Sequence, residues 1–232
     1  MTGSVTAVSG GGAQPKKPNV TVLASASSGR LAVLRAAGIE PVVLVSAVDE
    51  HAIQQTLKAS PPHDVIAALA EAKADAVARE YAAHPALADA VVISGDSMLL
   101  QGGELQGKPH TREEALRRWQ TQMGGTGELI TGHTVLRTRD GEVTARATGT
   151  SSTLVTMGRP TRRELEAYLD SGEPLEVAGA FTIDGLGGWF VERIEGDPSC
   201  VVGLALPLVR RLLAEVAVTV TDLWASPSEV RG

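Results

Sequence analysis

The chain has 232 residues, 21 Lys+Arg against 27 Asp+Glu, and a formal net charge of −6 at pH 7. Lys16 and Lys17 lie in an acid-free first stretch, so the acidic excess falls on the remainder, which excludes a protein that coats nucleic acid or an anionic membrane. Three Trp, two Tyr and two Phe are too few for a single-stranded nucleic-acid stacking platform, and one cysteine, Cys200, excludes an internal disulfide or a cysteine-cluster metal site.

Residues 1–19 are rich in Gly, Ser, Thr and Pro, without the basic start and apolar run of a secretory signal. They are expected to form a flexible extension of an intracellular protein. Val20 to Ala24 is an apolar strand. It leads through Ser25-Ala26-Ser27-Ser28 into a helix that Gly38 stops. Pro41 to Val45 is expected to be a strand ending at Val48-Asp49-Glu50, and Pro61-Pro62 precede an Ala-rich helix over about His63 to Tyr81. Ala90 to Ser94 is a buried-type strand that delivers Gly95-Asp96-Ser97 at its end. Gly102-Gly103 is a hairpin turn, followed by Gly107-Lys108-Pro109.

Thr111 with Glu114, and Thr161 with Glu164, have the spacing of capping boxes at the starts of two helices. Between these helices, two long strands (about 127–137 and 143–157) are joined by Asp140-Gly141, a strong hairpin signal. The last third holds Ala180 to Ile183, the Gly-rich Gly185 to Gly188, and an expected strand at Trp189 to Ile194. Pro207 starts a helix to about Val216. Residues 20–216 are expected to form one domain and 217–232 a tail. The pattern is α/β: a mixed twisted sheet with flanking helices, elongated and two-lobed.

The turn from Ser25 to Arg30 joins a strand to a helix. Small residues there admit an anion to the backbone amides, and Ser25, Ser27 and Arg30 can bond phosphate oxygens. A simple N-cap with a solvated arginine fits the same residues. Asp96 follows an apolar strand, where open α/β sheets place their ligands, although a turn aspartate is equally consistent. Asp49-Glu50 is either a surface loop pair or, with Asp96, an oxygen ligand set for Mg²⁺ or Mn²⁺. Of only five lysines, Lys73 lies on a helix and Lys108 is fixed between Gly and Pro. The five histidines lack zinc-site spacing and are expected to be surface or cap residues. Trp119 and Tyr168 fall at helical core spacing. No Walker loop or G-x-S-x-G is present.

In order, these pieces resemble the Maf family of nucleoside triphosphate pyrophosphatases. The family's L-A-S-x-S-P-R-R is matched by Leu23 to Arg30, its D-E by Asp49-Glu50, and its A-x-x-K-A by Ala70 to Ala74. Gly95-Asp96-Ser97 matches A-D-T, Gly107 to Pro109 matches G-K-P, and Thr131-Gly132 matches T-G. Gly172-Glu173-Pro174, Ala178 to Phe181 and Gly196 to Leu208 match the later elements. The resemblance implies an inosine-triphosphatase-like fold with a central cleft. It also implies hydrolysis of a nucleoside triphosphate to the monophosphate and pyrophosphate with a divalent cation.

By carry-over, Asp96 is the proton acceptor, and Lys73, Lys108 and Arg30 clamp the phosphates. Ser25, Ser27 and Ser97 bind substrate, and Glu50 with Asp96 holds Mg²⁺ or Mn²⁺. A cytoplasmic homodimer concerned with nucleotide-pool housekeeping is expected, with no nucleic-acid polymer or membrane as partner.

Ser28 and Gly29 stand where the family has Pro and Arg, and Val177 where it has Lys. The Val177 change leaves a catalytically weak nucleotide-binding regulator of cell division as the alternative. Cys200 and Ala205 replace an Asn and a Pro. Asp184 replaces the Gln of members acting on dTTP and UTP. A carboxylate only accepts hydrogen bonds, which favours guanine- or cytosine-type edges. A hairpin aspartate that never meets the base fits that position equally.

Overall fold

A computed structural model of the chain describes residues 17–45 and 47–225. Four apolar residues and Thr21 at Val20–Ala24 form β1, the strand on which the first half of the sheet is built. It pairs in parallel with β2 (Val42–Val43) and β3 (Asp89–Gln101). From β3 onward every pairing is antiparallel: β4 (Glu104–Gln106) and β5 (Thr126–Arg139) on β3, β6 (Glu142–Met157) on β5, and β7 (Val191–Glu195) on β6. The seven-stranded sheet therefore runs β2-β1-β3-β5-β6-β7, with β4 off that path. The expected mixed α/β architecture is present.

Local chemistry sets the elements. Ser27 caps α1 (Ser28–Ala36) by accepting from the Arg30 amide, and Gly38 takes the left-handed conformation just past its end. Pro62 opens α3 (Pro62–Glu80), whose buried Val65, Ile66, Leu69, Ala70, Ala74 and Val77 form its inward stripe. The Asp140-Gly141 turn has positive φ at both residues, as the two-residue hairpin between β5 and β6 requires. Thr161 and Glu164 close a full capping box on α5 (Arg162–Asp170). Thr111 caps α4 (Arg112–Gln122) only from its own side, because the Glu114 carboxylate turns to Arg117 and Arg118 instead. The last helices are α6 (Pro198–Val202) and α7 (Leu206–Glu215), the latter with Pro207 in its first turn.

Hydrophobic clusters gather at both ends of β3. Toward its start, Val91 and Ile93 pack under α7, while Ala90 and Val92 face α3 with Val22 and Leu87. Toward its end, Leu99 packs with Leu129, Met157, Trp119, Tyr168 and Phe181. Trp119 is fully buried, donates its indole N–H to Ala180 O at 2.8 Å, and meets Tyr168 edge-on at 6.0 Å. Trp119 and Tyr168 are core packing, as their spacing suggests. Truncating such a tryptophan to Ala costs about 3–5 kcal/mol.

Several expectations are corrected. The strand expected over 41–45 is two residues long, because Val42, Val43 and Val45 lie exposed at the sheet edge with a partner on one side only. Asp49-Glu50 is not a strand end: Asp49 Oδ1 accepts from the Ala52 amide and caps α2 (Glu50–Thr56). A 3-10 turn lies at Ala178–Ala180, with Gly179 at φ +69°, pressed so closely on Leu99 that a Cβ would lie 2.8 Å from its Cδ2. Trp189 belongs to a 3-10 turn over Leu186–Phe190, and the strand begins at Val191.

Residues 1–16 of the expected N-terminal extension, and 226–232 of the expected tail, lie outside the described residues. Within the rest, Pro18 is buried, Val218 and Leu223 join the core under α7, and Ala225 N bonds Gly38 O at 2.8 Å.

Candidate active site

Asp96 is not beyond a strand end. It sits in the middle of the thirteen-residue β3, opposite Gly132 of β5, because the β5 ladder continues three residues past Ser97. The residue is 7% exposed, between the two groups of apolar residues along β3. Lys73 extends from α3 and donates to Asp96 Oδ1 at 2.5 Å and to Glu50 Oε1 at 2.8 Å. Burial pushes the Asp96 carboxyl above the usual carboxylate range. Lys73 and Arg30 pull it back, and the Glu50 charge pushes it up again. Glu50 is placed by the first turn of α2, so Asp49 caps the helix while its neighbour reaches the lysine.

Arg30 is not the solvated side chain that an N-cap reading allows. It is 7% exposed, and burial lowers its guanidinium pKa against the pull of Asp96 and Glu50. Nε donates to Gly203 O at 2.7 Å, Nη1 to Ser25 Oγ at 3.0 Å and Nη2 to Ser97 Oγ at 2.9 Å. Ser97 Oγ lies 2.9 Å from Thr131 Oγ1, whose own hydroxyl donates to Cys200 O. The terminal carbonyl orders the chain of donors: Arg30 gives to Ser97, Ser97 to Thr131, and Thr131 to Cys200. Ser25 Oγ also accepts from the Ser27 amide. With both acceptor directions engaged, its O–H remains to donate.

Ser25, Ser27, Arg30 and Ser97 are thus joined around β3, and Lys73, Glu50 and Asp96 meet beside them. Lys108 does not meet Asp96. It follows β4, is half exposed, and faces Glu176 Oε2 at 3.6 Å. Asp184 is exposed in the bend before Leu186. That bend is tied down by Glu173, which accepts from Thr182 Oγ1 at 2.6 Å and from the amides of Leu186 and Gly187, both at 2.9 Å. Burial raises the Glu173 carboxyl, but these donors outweigh it and leave it below its ordinary value.

His133 is neither a surface nor a cap residue. It is fully buried, donates Nδ1–H to Ser94 O at 2.9 Å and accepts the Ala205 amide on Nε2 at 3.0 Å. Burial holds its pKa down to about 4, so the ring is neutral. The roles of His133 and Glu173 depend on partners far away in the chain. Their sequence trace is only that each falls in a resembling motif, beside Thr131-Gly132 and between Gly172 and Pro174.

Among the described residues, no cluster of three His, Cys, Asp or Glu side chains is arranged to hold a metal. Glu50 and Asp96, gathered around one lysine amine, are hard oxygen donors. That set fits a cation such as Mg²⁺ or Mn²⁺, which uses one or two carboxylates and takes its remaining ligands from phosphate and water. A recess of about 350 Å³ bordered by Arg159, Glu164, Trp189 and Glu192 contains none of these groups.

A mixed sheet whose buried Asp96 shares Lys73 with the exposed Glu50, beside an arginine-and-serine turn, defines an α/β protein with donors suited to a phosphate-bearing ligand. The sequence model described as Maf-like protein matches residues 21–216, and the chain belongs to that family. It is 58% identical over 208 residues to a "Nucleoside triphosphate pyrophosphatase" of Nocardia farcinica, covering 89% of this chain and 97% of the relative. Proteins of the same name from Rhodococcus jostii (56%, covering 90% and 98%) and Saccharopolyspora erythraea (53%, covering 89% and 97%) are also similar. No helix among the described residues is long and apolar enough to cross a membrane.

Proposed function

We propose that this protein is an enzyme that hydrolyses a nucleoside triphosphate to the monophosphate and pyrophosphate. The observation that carries the reading is the buried Asp96 carboxylate, held by Lys73 and close enough to Arg30 to feel its charge, in a chain of this family. A carboxyl pushed upward by burial is suited to orient water and accept its proton as the water attacks the α-phosphorus. Lys73 is held between two carboxylates, so it enters the reaction pre-positioned and stabilises negative charge that develops on the phosphates. Arg30, locked at three points, offers its charge without paying reorganisation, and Ser25 and Ser97 set the polar floor of the turn. Ser27 fixes the start of α1, whose amides face an anion favourably. Lys108 serves as a second clamp once a phosphate takes the place of Glu176 beside it.

Glu50 and Asp96 would hold Mg²⁺ or Mn²⁺. The cation supplies charge neutralisation for the triphosphate. Asp184 would accept from the donor-rich edge of guanine or cytosine, on a bend that Glu173 holds in place. A cytoplasmic homodimer acting in nucleotide-pool housekeeping belongs to the same proposal, and light scattering of the purified protein tests the dimer.

The reaction is tested in ¹⁸O-water with Mg²⁺ or Mn²⁺ and a panel of triphosphates. Attack at the α-phosphorus puts the label in the monophosphate and leaves pyrophosphate unlabelled. Release of diphosphate plus phosphate, or tight binding with no turnover, would overturn the reading. Loss of turnover in a chelator and recovery with the cation tests the metal.

A further inference from the structure

The two strands that build the site each lack a side chain where another group comes closest. Gly95 lies beneath the His133 ring, and Gly132, the register partner of Asp96, lies beneath α3. A Cβ on Gly132 would stand 2.8 Å from Ile66 O and 3.0 Å from Ile66 C, both backbone atoms of the helix. One turn on, Ser94 Oγ donates to Ala70 O at 2.7 Å, so β3 draws the same helix inward. Ile66, Ala70 and Lys73 follow at i, i+4 and i+7 and share one helix face. The depth at which α3 meets the sheet at Gly132 and Ser94 therefore sets how far Lys73 must reach for Asp96.

We infer that Gly132 is a positioning residue for the reaction: its missing side chain seats α3 at the depth that brings Lys73 into contact with Asp96. This inference rests on the roles given above to Lys73 and Asp96. An alanine at Gly132 cannot be accommodated by a side-chain rotation, because it meets helix backbone. Relieving the contact lifts α3 by about half an ångström, the tolerance within which catalytic groups must be held. Gly149 provides the contrast. It lies on the neighbouring strand with its open side toward α7, and a Cβ there meets Leu208 Cδ1 at 3.1 Å, a flexible side-chain end that yields.

The test is a double-mutant cycle on pyrophosphate release, with Gly132→Ala, Lys73→Met and the two combined. Gly132→Ala is expected to lower kcat by about 10–100-fold with KM changed by less than about threefold. In the Lys73→Met background the same change should cost less than about twofold, because the contact it disturbs is already gone. Gly149→Ala should keep wild-type kcat even where it lowers Tm. If Gly132→Ala fails to fold, Ser94→Ala, which removes the inward bond and adds no atoms, should show the same dependence on Lys73 with a loss of about 3–10-fold. Losses that multiply in the double variant would overturn the positioning role alone. Wild-type activity in Lys73→Met would instead sink the reading of the site, and this inference with it.

Discussion

Arg30 and Gly203 lie 173 residues apart in sequence, yet the arginine Nε donates to the glycine carbonyl at 2.7 Å. That bond joins the first strand–helix turn to the turn between α6 and α7. It leaves the guanidinium buried, with the two remaining nitrogens spent on Ser25 and Ser97. Arg30 is therefore a pin between elements and, in the proposed function, also a charge for the phosphates.

Arg30→Lys separates these two functions. An ammonium keeps the charge but cannot span a carbonyl and two hydroxyls in fixed directions. The variant should lose about 2–4 kcal/mol of stability in urea titration, from donors and acceptors left unpaired in the interior. Its kcat/KM should fall at least about tenfold. Unchanged stability would show that the three bonds are dispensable.

Asp96→Asn preserves shape while removing the negative charge that Lys73 and Arg30 face. Pyrophosphate release should fall by about 10²–10⁴-fold, the range of a lost general base. Nucleotide binding by calorimetry should stay within a few fold, since Arg30, Lys73 and Lys108 keep their positive charges. Retention of more than about a tenth of the activity would remove Asp96 from its assigned role.

His133 makes stability depend on pH with a definite sign. Its pKa is about 4 in the folded chain, below the 6.5 of an ordinary imidazole, so the unfolded chain binds the extra proton between these values. The imidazole's contribution is complete above pH 6.5 and is lost as pH falls from 6.5 toward 4. It amounts to about 3 kcal/mol at about 1.4 kcal/mol per pH unit. Urea unfolding of wild type and His133→Gln at several pH values checks this: the variant should be less stable at pH 7.5 and flatter below 6.5. Parallel profiles would contradict it.

Glu173 and Asp184 separate the holding of a bend from the reading of a base. Glu173→Gln turns one acceptor into a donor facing Thr182 or a backbone amide, so hydrogen exchange over 182–188 should quicken and Tm should fall. Asp184→Gln should leave exchange unchanged and move the GTP-to-UTP ratio of kcat/KM toward UTP by about tenfold. An unchanged ratio would show that Asp184 does not meet the base.

Much of the scaffold was legible because its signals are local. The Ser27 and Thr161 caps, the Asp140-Gly141 turn and the Pro-initiated helices are set by hydrogen bonds and dihedrals within a few residues. The misplacements came where a distant partner decides. Asp96 looked like a strand end because Gly95 and Ser97 weaken the apolar run, but twelve paired positions on β5 carry the strand through it. Trp189 and Phe190 are strand-like residues, yet they close a 3-10 turn over Leu186–Phe190 and the strand starts at Val191.

By itself the sequence determined which residue types are available to the site, and their attachment to a strand, a helix or a turn. Serines and an arginine begin α1, a lysine lies on α3, and an acid lies in β3. Only the tertiary structure decided that Lys73 bridges Glu50 and Asp96, that Arg30 is buried rather than solvated, and that Lys108 faces Glu176 instead of Asp96. Capping and periodicity act over single turns of chain. Burial and ion pairing depend on how closely a helix can approach a sheet, and that spacing is set by residues far apart in sequence, here Gly132 beneath Ile66.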